Sequence, residues 1–438
     1  MKEPFDRWIE RQYRHAATAM LRSISPLDVV KTRPGFGQTV QPVKGAIVAS
    51  IVLGAYDPDP DYFFHWYRDS AVVIDALRLL LEDGSMGPEA LEHLGDFVRF
   101  SLSLQQLDGR TVAASPSRRD KVAADFLRYL RDDDDLAQVH GDKIAAETRV
   151  NPDGTLDISK WARPQHDGPP LRALAMQRWA GRVSPHVAAD VAALIRSDLG
   201  FTMRHWREPS YDIWEEEQGP HYYTQRVSAA ALIEGAAWLE AGGKRAEAQA
   251  CRAEAETIMH ALDGFWLADE GYFRSRVLST GRSTKDLDIA VILSAIHAGG
   301  TGLHSVHDPR MQSTLAQLEN LFDAAYPINR DRAPGTGPAM GRYAGDVYYS
   351  GGAYYFSTLG AAEFCFRAAA GAGDAHHWIE RGDGFLHTVR AYTPADGALS
   401  EQFDQRDGGQ TSARELAWSY AAFISCVAAR RLVIGRQG

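Results

Sequence analysis

The chain of 438 residues is 45% hydrophobic and 24% charged, the balance of a soluble globular protein with room for a sizeable core. Its 47 basic against 57 acidic residues leave a net charge of −10, which argues against nucleic acid or an anionic membrane as the main partner. Cys251, Cys365 and Cys426 are widely spaced with no Cys-x-x-Cys pair, so neither a disulfide framework nor a zinc site is expected.

Taken in chain order, residues 1–15 lack an apolar signal core, and charges interrupt every run long enough to span a bilayer. A cytoplasmic protein with no membrane contact is expected. Apolar spacing predicts twelve helices, near 5–23, 69–82, 88–107, 169–181, 185–205, 223–241, 244–263, 286–298, 308–324, 352–370, 375–392 and 412–431. Some carry one apolar stripe, such as Cys251, Ala255, Ile258, Met259 and Leu262. Others, such as 69–81 and 354–366, are apolar or small on nearly every side, the pattern of enclosed helices. The two kinds tend to alternate. Six enclosed and six outer helices predict an all-α (α/α)6 barrel, a single domain over 1–438. The other architecture, an open solenoid, lacks a repeat of fixed period roughly 30–45 residues. Residues 45–54 read as a strand. Residues 108–166 form a long, charged, irregular insertion, of a kind that is often functional. Its aspartate run, 132–135, reads as a solvated loop or helix end.

Four stretches mix aromatics with charges in loop-like sequence, where binding groups tend to lie. In "DYFFHWYRDSA" (61–71), Tyr62, Trp66, Arg68 and Asp69 stand together, with Asp69 expected to cap the helix 69–82. In "WARPQHDGPPLRA" (161–173), Trp161 precedes a turn that feeds a helix with proline in its first turn. In "YDIWEEEQGPHYY" (211–223), Asp212 and Trp214 precede Glu215, Glu216 and Glu217. A carboxyl packed against Trp214 beside like charges is expected to have a raised pKa, which suits a general acid. In "GALSEQFDQRDGGQTSARELAWSYAAF" (397–423), Ser412 and Glu415 read as a capping box. That leaves Glu401 with no structural role in view. Two glutamates in separate aromatic loops, Glu215 and Glu401, match glycoside hydrolysis. One carboxylic acid protonates the leaving oxygen, and the other carboxylate activates water or attacks the sugar.

Together with "GRYAGDVYY" (341–349), these stretches occur in one order from residue 59 to 422. In that order they resemble glucoamylases and their relatives, the inverting glucosidases of glycoside hydrolase family fifteen. The resemblance implies an (α/α)6 barrel with Glu215 as general acid and Glu401 as general base. It implies Arg68 and Asp69 on the terminal sugar, Tyr62 beside the base and its water, and Trp161 over the acid. Asp212, Glu216 and Arg342 would shape the acid's surroundings and hold hydroxyls. Trp418 would line the pocket and Gln402 would partner the nucleophilic water. Apart from the resemblance, Trp66 and Trp214 are expected among the substrate-binding aromatics of their stretches. The implied activity is exo-acting release of β-glucose from short α-glucans, with no metal or organic cofactor and an oligosaccharide as partner. Neither a starch-binding domain nor an N-terminal β-sandwich is expected. Ser350, Gly352 and Tyr354 stand where the fungal pattern has Asn, Asn and Trp. Linkage therefore stays open between α-1,4, which family frequency favours, and α-1,6 or trehalose linkages. A sugar phosphorylase would lack a base glutamate, and an inactive sugar-binding relative would be expected to lose Glu215 or Glu401.

Overall fold

A computed structural model describes residues 3–56, 58–115, 117–279 and 281–435. Twelve long helices dominate it: α1 (Phe5–Leu21), α2 (Tyr67–Glu82), α3 (Glu89–Leu104), α4 (Gly168–Trp179), α5 (Pro185–His205), α6 (Tyr222–Ala241), α7 (Arg245–Asp263), α8 (Ala290–Ala298), α9 (Pro309–Ala325), α10 (Tyr355–Ala369), α11 (Ala375–Tyr392) and α12 (Ala417–Ile434). Each answers to one of the predicted helices.

The even-numbered helices pack in a closed ring, α2 on α4, α4 on α6, and so on until α12 returns to α2. The odd-numbered ones lie outside, α1 on α12, α5 on α4, α7 on α6, α9 on α8 and α11 on α10. This is an (α/α)6 barrel, and burial follows the sequence pattern. In α10 every residue but Arg367 is buried. In α7 burial is confined to Ala248, Cys251, Ala255, Ile258 and Leu262, one stripe at helical spacing. The apolar α12 is long enough to cross a membrane by composition alone, yet here it closes the inner ring.

Short ladders pin the loops that lead into the inner helices. His65–Trp66 pairs with Arg149–Val150 just before α2. Ser210–Tyr211 pairs with Gln218–Gly219 before α6. Gln402–Phe403 lies between Ala353–Tyr354, which leads into α10, and Gln410–Thr411, which precedes α12. The loops that gather at this end of the barrel carry the aromatic and charged clusters.

Four local expectations are corrected. Residues 45–54 form no strand, because their backbone groups bond to separate loops: Val48 N–H to Ser23 O, Ala49 N–H to Phe64 O and Ser50 N–H to Tyr62 O. Helix α2 starts at Tyr67 with Trp66 as N-cap, so Asp69 sits in the first turn rather than capping it. Ser412 and Glu415 form no capping box, since both have left-handed backbone (φ 64° and 52°) and α12 begins only at Ala417. The insertion 108–166 is not wholly irregular, and its described residues hold five short helical turns, among them Ala124–Tyr129 and Asp133–Ala137. Its aspartates do stand at a helix start, where Asp133 pairs with Arg118 and Arg119.

Candidate active site

A pocket of about 240 Å³ opens among these loops. Every residue expected at the site lines it except Asp212 and Gln402, and Ile213, Tyr348, Phe356 and Leu416 join them.

Three successive glutamates diverge from one tight loop. Glu215 takes a left-handed conformation (φ 65°), and its N–H bonds back to Asp212 O at 2.9 Å. That turn aims its carboxylate into the pocket. Oε1 accepts from Trp66 Nε1 at 2.8 Å and from Arg68 Nη2 at 3.1 Å, and Oε2 accepts from Trp161 Nε1. Trp214, the expected neighbour, instead donates to Asp288 at 2.9 Å. Glu216 accepts from Tyr343 OH at 2.7 Å, Arg342 Nη2 at 3.1 Å and Lys285 at 2.7 Å. Glu217 pairs with Arg276 at 2.6 Å. Asp212 is buried beneath the loop, where it accepts from the Glu216 N–H at 2.8 Å and pairs with Arg276 at 2.9 Å. It sets the loop's shape and does not reach the pocket.

Arg68 is 5% exposed and stands between three carboxylates: Glu215 at 3.1 Å, Asp167 at 3.3 Å and Asp69 at 3.4 Å. Asp69 Oδ2 is buried and receives no hydrogen bond from the described residues. Burial pushes this carboxyl up to about 6, against the pull of Arg68 and with the added push of Glu215 and Asp167.

Glu401 faces the same pocket from the loop before α12. Its Oε2 accepts from Ser412 Oγ, and Tyr62 OH lies 3.5 Å from Oε1. Tyr62 OH also meets Tyr348 OH at 2.8 Å. Burial pushes Glu401 up to about 7, while the Ser412 hydrogen bond and the Arg342 charge pull the other way. Gln402 does not join it. Successive residues of an extended strand point to opposite sides, and Gln402 is fully buried behind the pocket wall. There it donates to Tyr354 OH at 2.8 Å and to Tyr348 O at 3.1 Å. The side chains beside Glu401 are therefore Ser412 and Tyr62.

Sequence reasoning missed Ser412, Tyr348, Arg276 and Asp288. Ser412 was hidden by its fit to a cap pattern. Tyr348 had a signal, the tyrosines of the stretch 341–349. Arg276 follows Tyr272 and Phe273, a signal that was there to be read, whereas Asp288 has no aromatic cluster to mark it.

A second cavity of about 580 Å³ adjoins the first and shares Tyr62, Trp161 and Tyr348 with it. Its far wall comes from the insertion, with Phe126 and Tyr129, and from Tyr56 and Tyr349. Tyr56, Tyr129, Trp161 and Tyr349 are all partly exposed beside the pocket.

The chain is similar to known proteins over nearly its whole length. A Neurospora crassa glucoamylase is 28% identical over 89% of this chain, and the chain spans 64% of that relative's length. A probable glucoamylase of Schizosaccharomyces pombe is 27% identical, with 98% of this chain and 93% of the relative covered. Among solved structures, the glucoamylase of Saccharomycopsis fibuligera superposes with a TM-score of 0.79 at 20% identity, covering 98% of this chain and 96% of that one. The Hormoconis resinae glucoamylase gives 0.78 at 24% identity, covering 98% and 74%. The model of glycosyl hydrolases family 15 matches residues 146–381 and 375–428, which is more than half of the chain. The chain belongs to glycosyl hydrolases family 15.

Proposed function

We propose that the protein is an inverting, exo-acting glycoside hydrolase that releases β-glucose from the non-reducing ends of short α-glucans, with α-1,4 linkages preferred. The observation that carries this reading is that Glu215 and Glu401, from different loops, line one small pocket. Its volume of about 240 Å³ lies below the roughly 300–1,000 Å³ usual for ligand sites, so it suits a single sugar ring. The larger aromatic cavity beside it suits the departing part of the substrate.

In this reading Glu215 gives its proton to the glycosidic oxygen as the bond to the anomeric carbon breaks. Glu401 takes a proton from a water that attacks the same carbon from the opposite face. Tyr62 helps hold that water. Arg68 and Asp69 grip hydroxyls through charge-assisted hydrogen bonds, and the surrounding indoles cover the C–H faces.

One observation favours a second reading with the two roles exchanged. A carboxyl whose surroundings favour its protonated form ordinarily serves as the acid. Burial raises Glu401 to about 7, while Glu215 accepts from three donors. α-Glucosyl fluoride separates the two readings, because fluoride leaves without being protonated. Glu215→Gln is expected to lose about 10²- to 10⁴-fold on maltose and to keep hydrolysing the fluoride, whereas Glu401→Gln loses both. The opposite tolerance would exchange the roles. Proton NMR in the first minutes should show β-glucose. Initial α-glucose would reject inversion, and a wild-type protein that releases no glucose from either substrate would reject the function.

A further inference from the structure

We propose that Arg149 is a positioning residue for the proton donor, acting through the two tryptophans that grip Glu215. The proposal rests on the reading of Glu215 as that donor.

The ladder register sets Arg149 directly across from Trp66. Its guanidinium carbon lies 3.5 Å from the ring centre of Trp161, 4.8 Å from that of Trp66 and 4.0 Å from that of Phe64. Nε donates to Asp157 at 2.9 Å and Nη2 to Ser159 Oγ at 3.2 Å. Nη1 is buried with no hydrogen-bond partner among the described residues. Leaving a charged donor unpaired in the interior is unfavourable, and such a group calls for a reason. Asp157 does not supply one, since it is shared with Arg163 at 2.9 Å.

The rings supply the reason. Trp66 donates its N–H to one oxygen of Glu215 and Trp161 to the other. Trp161 is 40% exposed, and beyond its bond to Glu215 and the edge of Trp66 at 6.3 Å the arginine at 3.5 Å is the contact that covers its ring face. A cation against an indole face is attracted to the ring, and it draws electron density from the indole, which makes the N–H a better donor. The arginine is itself held fast: Asp157 ties it to Arg163, Arg163 pairs with Glu147 at 2.9 Å, and Glu147 with Arg131 at 2.8 Å. The insertion thereby fixes the orientation of the donor's carboxyl.

A residue that positions the donor matters only when the leaving group needs a proton. Arg149→Met, in the full chain, is expected to lower kcat on maltose by about 10- to 100-fold with KM changed less than about threefold. Turnover of α-glucosyl fluoride should stay within about threefold of the parent, which also shows that the variant is folded. Arg149→Lys, which keeps a cation against the rings, should recover part of the lost kcat. Equal losses on both substrates would make the role structural and overturn the proposal, and so would a change in KM alone or no loss at all. Glu215→Gln is run in parallel. If it too loses the fluoride, the reading of Glu215 as donor fails, whatever Arg149 does.

Discussion

Glu401 stands where the proposed chemistry and stability pull apart. Burial holds it at about 7, against an ordinary value of 4.5. Between those two pH values the folded protein keeps a proton that the unfolded chain has released. Stability therefore falls as pH rises from 4.5 to 7 and stays lower above that, by up to about 3 kcal/mol. A water-activating base must be ionised, so activity rises through the same window in which stability falls. Glu401→Gln removes the titration. The variant is expected to unfold at higher urea concentration than the parent at pH 8, with the gap gone below pH 4. A parent as stable as the variant at pH 8 would show that the buried carboxylate carries no such cost. At this scale the sequence was readable wherever charge and aromatics cluster, as at Arg68, Glu215 and Trp161. It misled where backbone conformation decides. A Ser-x-x-Glu pattern reads the same whether a helix or two left-handed residues follow, and Gln402 adjoins Glu401 in sequence but faces the other way.

The inner helices begin where the site is built, so their close approaches set its geometry. Gly168 opens α4 against the first turn of α2, and a Cβ there would meet the Tyr67 Cβ at 2.5 Å. Neither atom can swing aside, because both are fixed to backbone. Arg68 meets Asp167 at 3.3 Å at this same crossing. Gly168→Ala should force the two helices apart, with a loss of about 1–3 kcal/mol and a fall in kcat/KM. Gly181, just beyond the far end of α4, has nothing within 4 Å of its Cβ position, and Gly181→Ala serves as the control. Thermal unfolding and kcat/KM are measured for both. Similar behaviour of the two variants would mean that the crossing does not limit the site. The helices themselves were legible because apolar spacing is a local signal that tertiary packing reinforces. Their starts were less so. The last helix was expected from 412 and begins at Ala417, and the eighth from 286 and begins at Ala290. In both cases the preceding loop carries apolar residues at helical spacing but gives its backbone to bridges, Ser50 to Leu416 and Asp288 to Tyr343.

Along the barrel axis the molecule holds two separate spaces. The pocket of about 240 Å³ ends at Phe356 and Trp418, and the same two residues line a cavity of about 310 Å³ on the far side. Their rings stack with centres 4.3 Å apart and planes 5° from parallel, and the Arg68 guanidinium lies 5.5 Å from the centre of the Trp418 ring. This stack is the floor that the proposed exo action requires, since a blind pocket admits a chain end and nothing longer. Closure of the ring by α12, which carries Trp418, thus ties the fold to the proposed cleavage pattern. With maltoheptaose the first products should be glucose and the chain one unit shorter, seen by chromatography at low conversion. Mid-length products at that stage would mean an open cleft. Trp418→Ala tests the floor itself. Removing a large buried ring of this kind costs about 3–5 kcal/mol in stability and joins the two cavities. A chain end could then slide one unit deeper before it is cut, so maltose should appear among the first products. If the variant still releases only glucose, the stop is made by Arg68 and Asp69 gripping the terminal ring, and the stacked rings serve only to pack the axis.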